Sequence, residues 1–209
     1  MKTPDILSMK NDKSFEKLKE SKETYVVWLT GLSGAGKTTL ASALLDSLES
    51  HDIACELLDG DVVRKTFNQD LDFSRKGRSE NVKRLAHMAY HSFKRGNIVI
   101  VSAISPFRDD RQRARHLIPK DRFIEVYCSC PIEICEERDV KGLYRKARAG
   151  EIDAFTGISS PYEAPLQPEI TIDSSTTSIQ AGILNIANFV NSNLKSRSTN
   201  LHSTTLYEH

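Results

Sequence analysis

Gly31-Leu32-Ser33-Gly34-Ala35-Gly36-Lys37-Thr38 decides how this chain is read. The stretch fits G-x-x-x-x-G-K-[ST], in which glycines let backbone amides close around phosphate groups. Tyr25-Val26-Val27-Trp28-Leu29-Thr30 runs into it with strand character, and Leu40, Ala41, Leu44, Leu45 and Leu48 leave it at helical spacing. Strand, glycine loop and helix together set a phosphate on the positive end of a helix dipole. Lys37 has the reach for β- and γ-phosphates, and the Thr38 hydroxyl suits Mg²⁺. A glycine-rich turn with a chance lysine would leave those regular flanks unexplained. The expectation is a nucleoside triphosphate held by Gly31 through Thr38, with Thr39 beside it.

Working outward, Ile53–Leu58 reads as a second strand ending at Asp59-Gly60-Asp61, followed by a short helix over 61–67 and a polar loop over 68–77. Val82, Leu85, Ala86, Ala89 and Phe93 share one face of a helix over 78–95, which Gly96 ends. Ile98-Val99-Ile100-Val101 is the continuous apolar run of a strand covered on both faces. A basic helix over 107–117, a strand over 123–128 and a helix from Pro131 to about 138 follow. Residues 140–168 are rich in Lys, Arg, Gly and Pro without a periodic apolar face. Ile170-Thr171-Ile172 is a last short strand, and a final amphipathic helix ends near 194. The first 23 residues read as a flexible arm or a marginal helix, and 195–209 as a disordered tail. Alternating strands and helices imply an α/β domain over 24–194, three layers deep, around a mostly parallel five-stranded sheet. Ligands on such a sheet bind beyond the strands' carboxyl ends, where the glycine loop, Asp59–Asp61, Ser105–Arg108 and the basic segment converge.

Composition limits the alternatives. The 209 residues suit one domain, with hydrophobic content of 39% and charged content of 27%. Lys plus Arg (29) balances Asp plus Glu (28), so no global field favours nucleic acid or an anionic membrane. No apolar run approaches a membrane span, and the first residues lack the core of a secretory signal. Cys55, Cys128, Cys130 and Cys135 lack zinc-ligand spacing and read as reduced structural thiols of a cytoplasmic protein. The guanine-reading Asn-Lys-x-Asp is missing, and a basic segment over about 140–158 suits a lid closing over ATP. That combination points to a small-molecule kinase rather than a GTPase.

Several blocks resemble adenylylsulfate (APS) kinases, which phosphorylate the 3′-hydroxyl of adenosine 5′-phosphosulfate. They are Gly31–Thr39, Leu58-Asp59-Gly60-Asp61-Val62-Val63-Arg64, Phe73, Arg78–Arg84, Ile104-Ser105-Pro106-Phe107-Arg108, Glu136–Ile152, Phe155–Ile158 and Ser160–Pro165. The likeness covers about residues 24–173, and only the first block is generic. It implies a P-loop NTPase fold with a basic lid, ATP as co-substrate, Mg²⁺, and transfer of the γ-phosphate to give 3′-phosphoadenosine 5′-phosphosulfate (PAPS) in sulfate assimilation. It implies a homodimer as well, and coupling to ATP sulfurylase.

The resemblance also assigns residues. Asp61 matches the catalytic carboxylate that orients or deprotonates the 3′-hydroxyl, with helix capping as its alternative task. Asp59 is a second candidate, for the metal's water shell. Arg64, Arg78 and Asn81 match residues gripping the phosphosulfate and ribose, where guanidinium forks suit oxyanions. Phe73 and Phe155 match the pair that sandwiches adenine, and their polar, unpatterned surroundings favour stacking over core packing. Ile104 and Ser105 match a substrate-contacting pair. Ser105 stands with Lys37 and Asp61 among the catalytic positions, although direct in-line attack needs no phosphoserine. Lys141 matches a substrate-binding lysine. Two departures from the family's pattern stand out: residues 1–23 lack an Asn-Ile-x-Trp-His segment, and Leu71-Asp72-Phe73 carries Asp where Gly is usual.

Overall fold

A computed structural model describes residues 12–204. Five strands, β1 (Val26–Thr30), β2 (Cys55–Asp59), β3 (Ile98–Ser102), β4 (Phe123–Ser129) and β5 (Ile170–Asp173), form one parallel sheet in the order β2-β3-β1-β4-β5. Side-chain alternation divides them between two cores. Val27 and Leu29 of β1 join Ile98, Ile100, Ile124 and Val126 on one face, whereas Val26 and Trp28 join Val99, Val101 and Phe123 on the other. Both faces being covered explains the unbroken apolar runs.

Eight helices supply the outer layers: α1 (Lys13–Ser21), α2 (Lys37–Ser50), α3 (Gly60–Thr66), α4 (Arg75–Lys94), α5 (Arg108–Leu117), α6 (Ile132–Arg138), α7 (Leu143–Arg148) and α8 (Ile179–Thr204). Leu40, Leu44, Ile183 and Ile186 close the first core, and Val63, Val82, Leu85 and Ala114 the second. The three-layer α/β/α architecture is as expected.

Several boundaries differ from the sequence reading. Lys13–Ser21 is helical, capped by Asp12 and anchored by fully buried Phe15 and nearly buried Leu18; residues 1–11 lie outside the described part. One buried face, rather than intrinsic propensity, orders this short helix. α4 begins at Arg75 instead of 78, because Ser74 Oγ accepts the Gly77 N–H at 3.1 Å. α7 lies inside the basic segment, where the sequence shows no periodic apolar face. α8 continues through Thr204 rather than ending near 194, which corrects the expected tail for 195–204; residues 205–209 lie outside the described part.

Register decides where chemistry can occur. β1, β2 and β3 end level, with Leu29 opposite Ser102 and Ser102 opposite Asp59. The loop leaving β1 therefore opens beside the carboxylate that ends β2.

Candidate active site

The loop after β1 is shaped by close packing. At Gly31 (φ +151°) a Cβ would lie 2.5 Å from the Cys128 carbonyl oxygen, so only glycine fits. Gly36 (φ +76°) caps α2 without a side chain, leaving the helix's positive end facing the loop. Tyr144 donates its hydroxyl to the Ser33 carbonyl at 2.9 Å, and Arg138 donates to the Gly34 and Ser174 carbonyls at 3.3 and 2.8 Å. Ala35 is fully buried, Leu32 is packed against the first core, and Thr38 and Thr39 are exposed at the helix start. Lys37 Nζ donates to the Gly31 and Leu32 carbonyls at 3.0 and 2.7 Å. Burial pushes this ammonium's pKa down, partly offset by charges including the Asp61 carboxylate.

The carboxylates divide their tasks. Asp59, not Asp61, caps α3: its Oδ1 accepts from the N–H groups of Asp61 and Val62 at 2.9 and 3.2 Å. Its Oδ2 accepts the Thr38 hydroxyl at 2.9 Å, and Ser102 Oγ lies 3.3 Å from that hydroxyl. Hydroxyl, carboxylate and serine oxygens make a hard-oxygen set that fits Mg²⁺. Asp61 is thereby released from capping, and its Oδ2 meets Lys141 Nζ from the basic segment. Both partners are more than half exposed, so this pair adds little stability and is easily exchanged for a ligand.

The remaining candidates surround α4. Arg64 Nη1 donates to the Leu71 and Asp72 carbonyls, both at 3.0 Å, and its Cζ lies 4.4 Å from the Phe73 ring centroid. Arg78 is a strut: it donates to the Phe73 carbonyl (2.8 Å), Thr156 Oγ1 (2.6 Å) and the Ala154 carbonyl (2.5 Å). The two loops carrying the phenylalanines are thus tied together by an arginine expected only to grip substrate. Asn81 is buried and accepts from Asn68 Nδ2 at 2.9 Å, which leaves its own amide N–H₂ to face elsewhere. Phe73 is 59% exposed, but Phe155 is 8% exposed and packs edge-on against Tyr144 at 5.0 Å. The expectation that both rings avoid the core holds for Phe73 and fails for Phe155.

Ile104 and Ser105 follow β3. Thr30 Oγ1 donates to the Ile104 carbonyl at 2.7 Å. Ser105 is 2% exposed; its Oγ accepts from Trp28 Nε1 at 2.9 Å and donates to the Ala103 carbonyl at 3.2 Å. That hydroxyl is enclosed and engaged, which gives Ser105 a structural task that the sequence does not show.

Sequence reading missed Tyr144, Asn68, Ser102 and Trp28. Only Trp28 carried a signal, since a buried indole N–H needs an acceptor. All four cysteines are free. Burial raises the Cys128 thiol to about 11 and the Cys135 thiol to about 12, the latter with help from neighbouring Cys130. Among the described residues no helix is long and apolar enough to cross a membrane.

Residues 23–173 match the family model described as adenylylsulphate kinase. This chain belongs to the adenylylsulphate kinase family. A probable adenylyl-sulfate kinase of Bacillus subtilis is 49% identical over 157 residues, covering 75% of this chain and 79% of the relative. The adenylyl-sulfate kinase of Acaryochloris marina is 47% identical over 165 residues, 79% of this chain and 80% of its own length. Among solved structures, the Mycobacterium tuberculosis APS kinase in complex with AMPPNP and APS superposes with a TM-score of 0.77. It is 41% identical and covers 80% of this chain and 98% of its own. The family model's match stops short of α1 and α8 at the two ends.

Proposed function

We propose that this APS kinase family member transfers the γ-phosphate of ATP to the 3′-hydroxyl of adenosine 5′-phosphosulfate, releasing PAPS and ADP. The observation that carries the reading is the meeting of Lys37, Thr38, Asp59, Asp61 and Lys141 where β1 and β2 end. The 3′-oxygen attacks the γ-phosphorus, the bond to the β–γ bridging oxygen breaks, and the hydroxyl proton passes to Asp61. A positioned base of this kind contributes about 10²–10⁴-fold. The amides of Gly31 to Thr39 bind the phosphates, and Lys37 exchanges its carbonyl partners for phosphate oxygens.

Thr38 and Asp59 would hold Mg²⁺, which when bound neutralises charge on the β- and γ-oxygens. Phe73, 59% exposed, offers adenine a free face, and the core-anchored Phe155 would supply the second wall. Arg64, Arg78, Asn81 and the Ile104–Ser105 backbone surround the acceptor. Lys141 leaves Asp61 for the substrate's anionic groups as the segment over 140–158 closes as a lid. The reading extends to a cytoplasmic homodimer served by an ATP sulfurylase, and light scattering of the purified chain checks the dimer.

An ADP-release assay with APS against AMP, CMP and gluconate tests the substrate. Selective turnover of APS is expected, and equal use of the panel refutes it. Asp61→Ala should abolish turnover while ATP binding stays nearly intact; near-wild-type turnover would remove Asp61 from the mechanism.

A further inference from the structure

Arg111 lies on α5 and is 3% exposed, yet its guanidinium reaches three separate parts of the molecule. Nε donates to Glu125 Oε1 on β4 at 2.6 Å. Nη1 donates to the Ser105 carbonyl at 2.6 Å, and Nη2 to the Glu163 carbonyl at 2.7 Å. The Tyr162 ring centroid lies 5.9 Å from Cζ, and the Tyr162 hydroxyl lies 3.0 Å from Thr30 Oγ1, the group that holds the Ile104 carbonyl.

The place where these bonds converge is strained. Ser105 has φ +44°, a left-handed conformation that L-residues other than glycine adopt at a cost. It lies just beyond the carboxyl end of β3, the rim where a parallel sheet binds its ligands. A residue serving the core alone has no need to hold a strained backbone there. Glu125 keeps the buried charge paired and is shared with Arg115 at 3.3 Å, so the anchor is itself fixed.

We propose that Arg111 is a positioning residue for the acceptor nucleotide. By gripping the Ser105 and Glu163 carbonyls, it holds the Ile104–Ser105 turn in the shape that presents the partly exposed Ile104 to APS, without touching APS itself. The inference rests on the proposed activity and adds a residue to it. A lysine keeps the charge opposite Glu125 but lacks the planar fork that spans three acceptors.

Steady-state kinetics with both substrates varied, together with thermal melts, provide the test on wild type, Arg111→Lys, Glu125→Gln and Arg113→Lys. Losing two fork contacts should raise KM for APS by about tenfold or more. KM for ATP should stay within about twofold, because the phosphate loop is held by other groups. Glu125→Gln should move the same constant in the same direction by less, and it decides the matter if Arg111→Lys fails to fold. Arg113, two residues along the same helix with its side chain 73% exposed, should tolerate lysine unchanged. An unchanged KM for APS, or equal rises for both substrates, overturns the inference while the proposed activity stands. Wild-type protein that ignores APS overturns both.

Discussion

The two sides of the site are built by different means. On the donor side, the phosphate loop is a backbone object: glycines turn it, a helix start faces it, and Tyr144 and Arg138 brace its carbonyls from outside. On the acceptor side, side chains hold other segments' carbonyls: Arg64 on Leu71 and Asp72, Arg78 on Ala154, Arg111 on Ser105. A backbone object needs particular residue types at fixed offsets. A lattice of long side chains needs only that the partners meet after folding. The first tolerates almost no substitution at its glycines, whereas the second spreads its dependence over many residues.

The largest effect on ATP binding should come from adding one carbon to the donor side. Gly31→Ala forces a methyl into the Cys128 carbonyl, and a backbone oxygen cannot rotate away. ATP affinity should fall by about a hundredfold or more, read by calorimetry with AMPPNP; binding within twofold of wild type would break the comparison.

The acceptor side splits under a paired test. Phe155→Ala empties a core position and should cost about 3–5 kcal/mol of stability, visible as a fall in Tm. Phe73→Ala should leave Tm nearly unchanged and weaken APS binding by about 1–3 kcal/mol, the worth of one stacked base. Similar melting behaviour for the two variants would show that the rings are not differently placed.

This asymmetry explains what could be read in advance. Gly31 to Thr38, the apolar strands and the amphipathic α2 and α4 are local patterns, and the three-layer fold follows from their order. Asp61's freedom was not legible, because it depends on Asp59 taking the cap two residues earlier. Phe155 lies in a polar loop yet enters the core through contact with Tyr144, some ten residues away and itself in a stretch without apolar periodicity. Arg78's three acceptors span residues 73 to 156, a pairing that no window of sequence contains. Ser105 looked chemical because of its neighbours in sequence, while its neighbours in space enclose it.

A smaller effect is expected where the donor loop is braced. Tyr144→Phe removes the bond to the Ser33 carbonyl and should weaken ATP binding by about 0.5–1.5 kcal/mol. KM for APS should move less than KM for ATP, the opposite of the Phe73→Ala result; equal shifts would mean that the brace serves both sides.

The smallest effect concerns how Tyr144 is itself held. Asp139 accepts from the Tyr144 and Arg145 N–H groups at 2.9 and 3.1 Å, fixing the start of α7. Burial alone would raise this carboxyl's pKa, but the backbone hydrogen bonds from Tyr144, Arg145 and Leu143 outweigh it and hold it below the ordinary carboxylate range. The folded state therefore binds the proton less tightly than the unfolded chain. The contribution is complete above the ordinary value of about 4 and is lost as pH falls through the lower, folded value. Wild type and Asp139→Asn should accordingly differ by a constant amount of stability near neutral pH, with the gap closing under acid. Hydrogen exchange at the α7 amides, followed from pH 6 downward, reads the same loss locally. A gap that persists in acid would show that α7, and with it the donor loop's outer brace, stands without this carboxylate's charge.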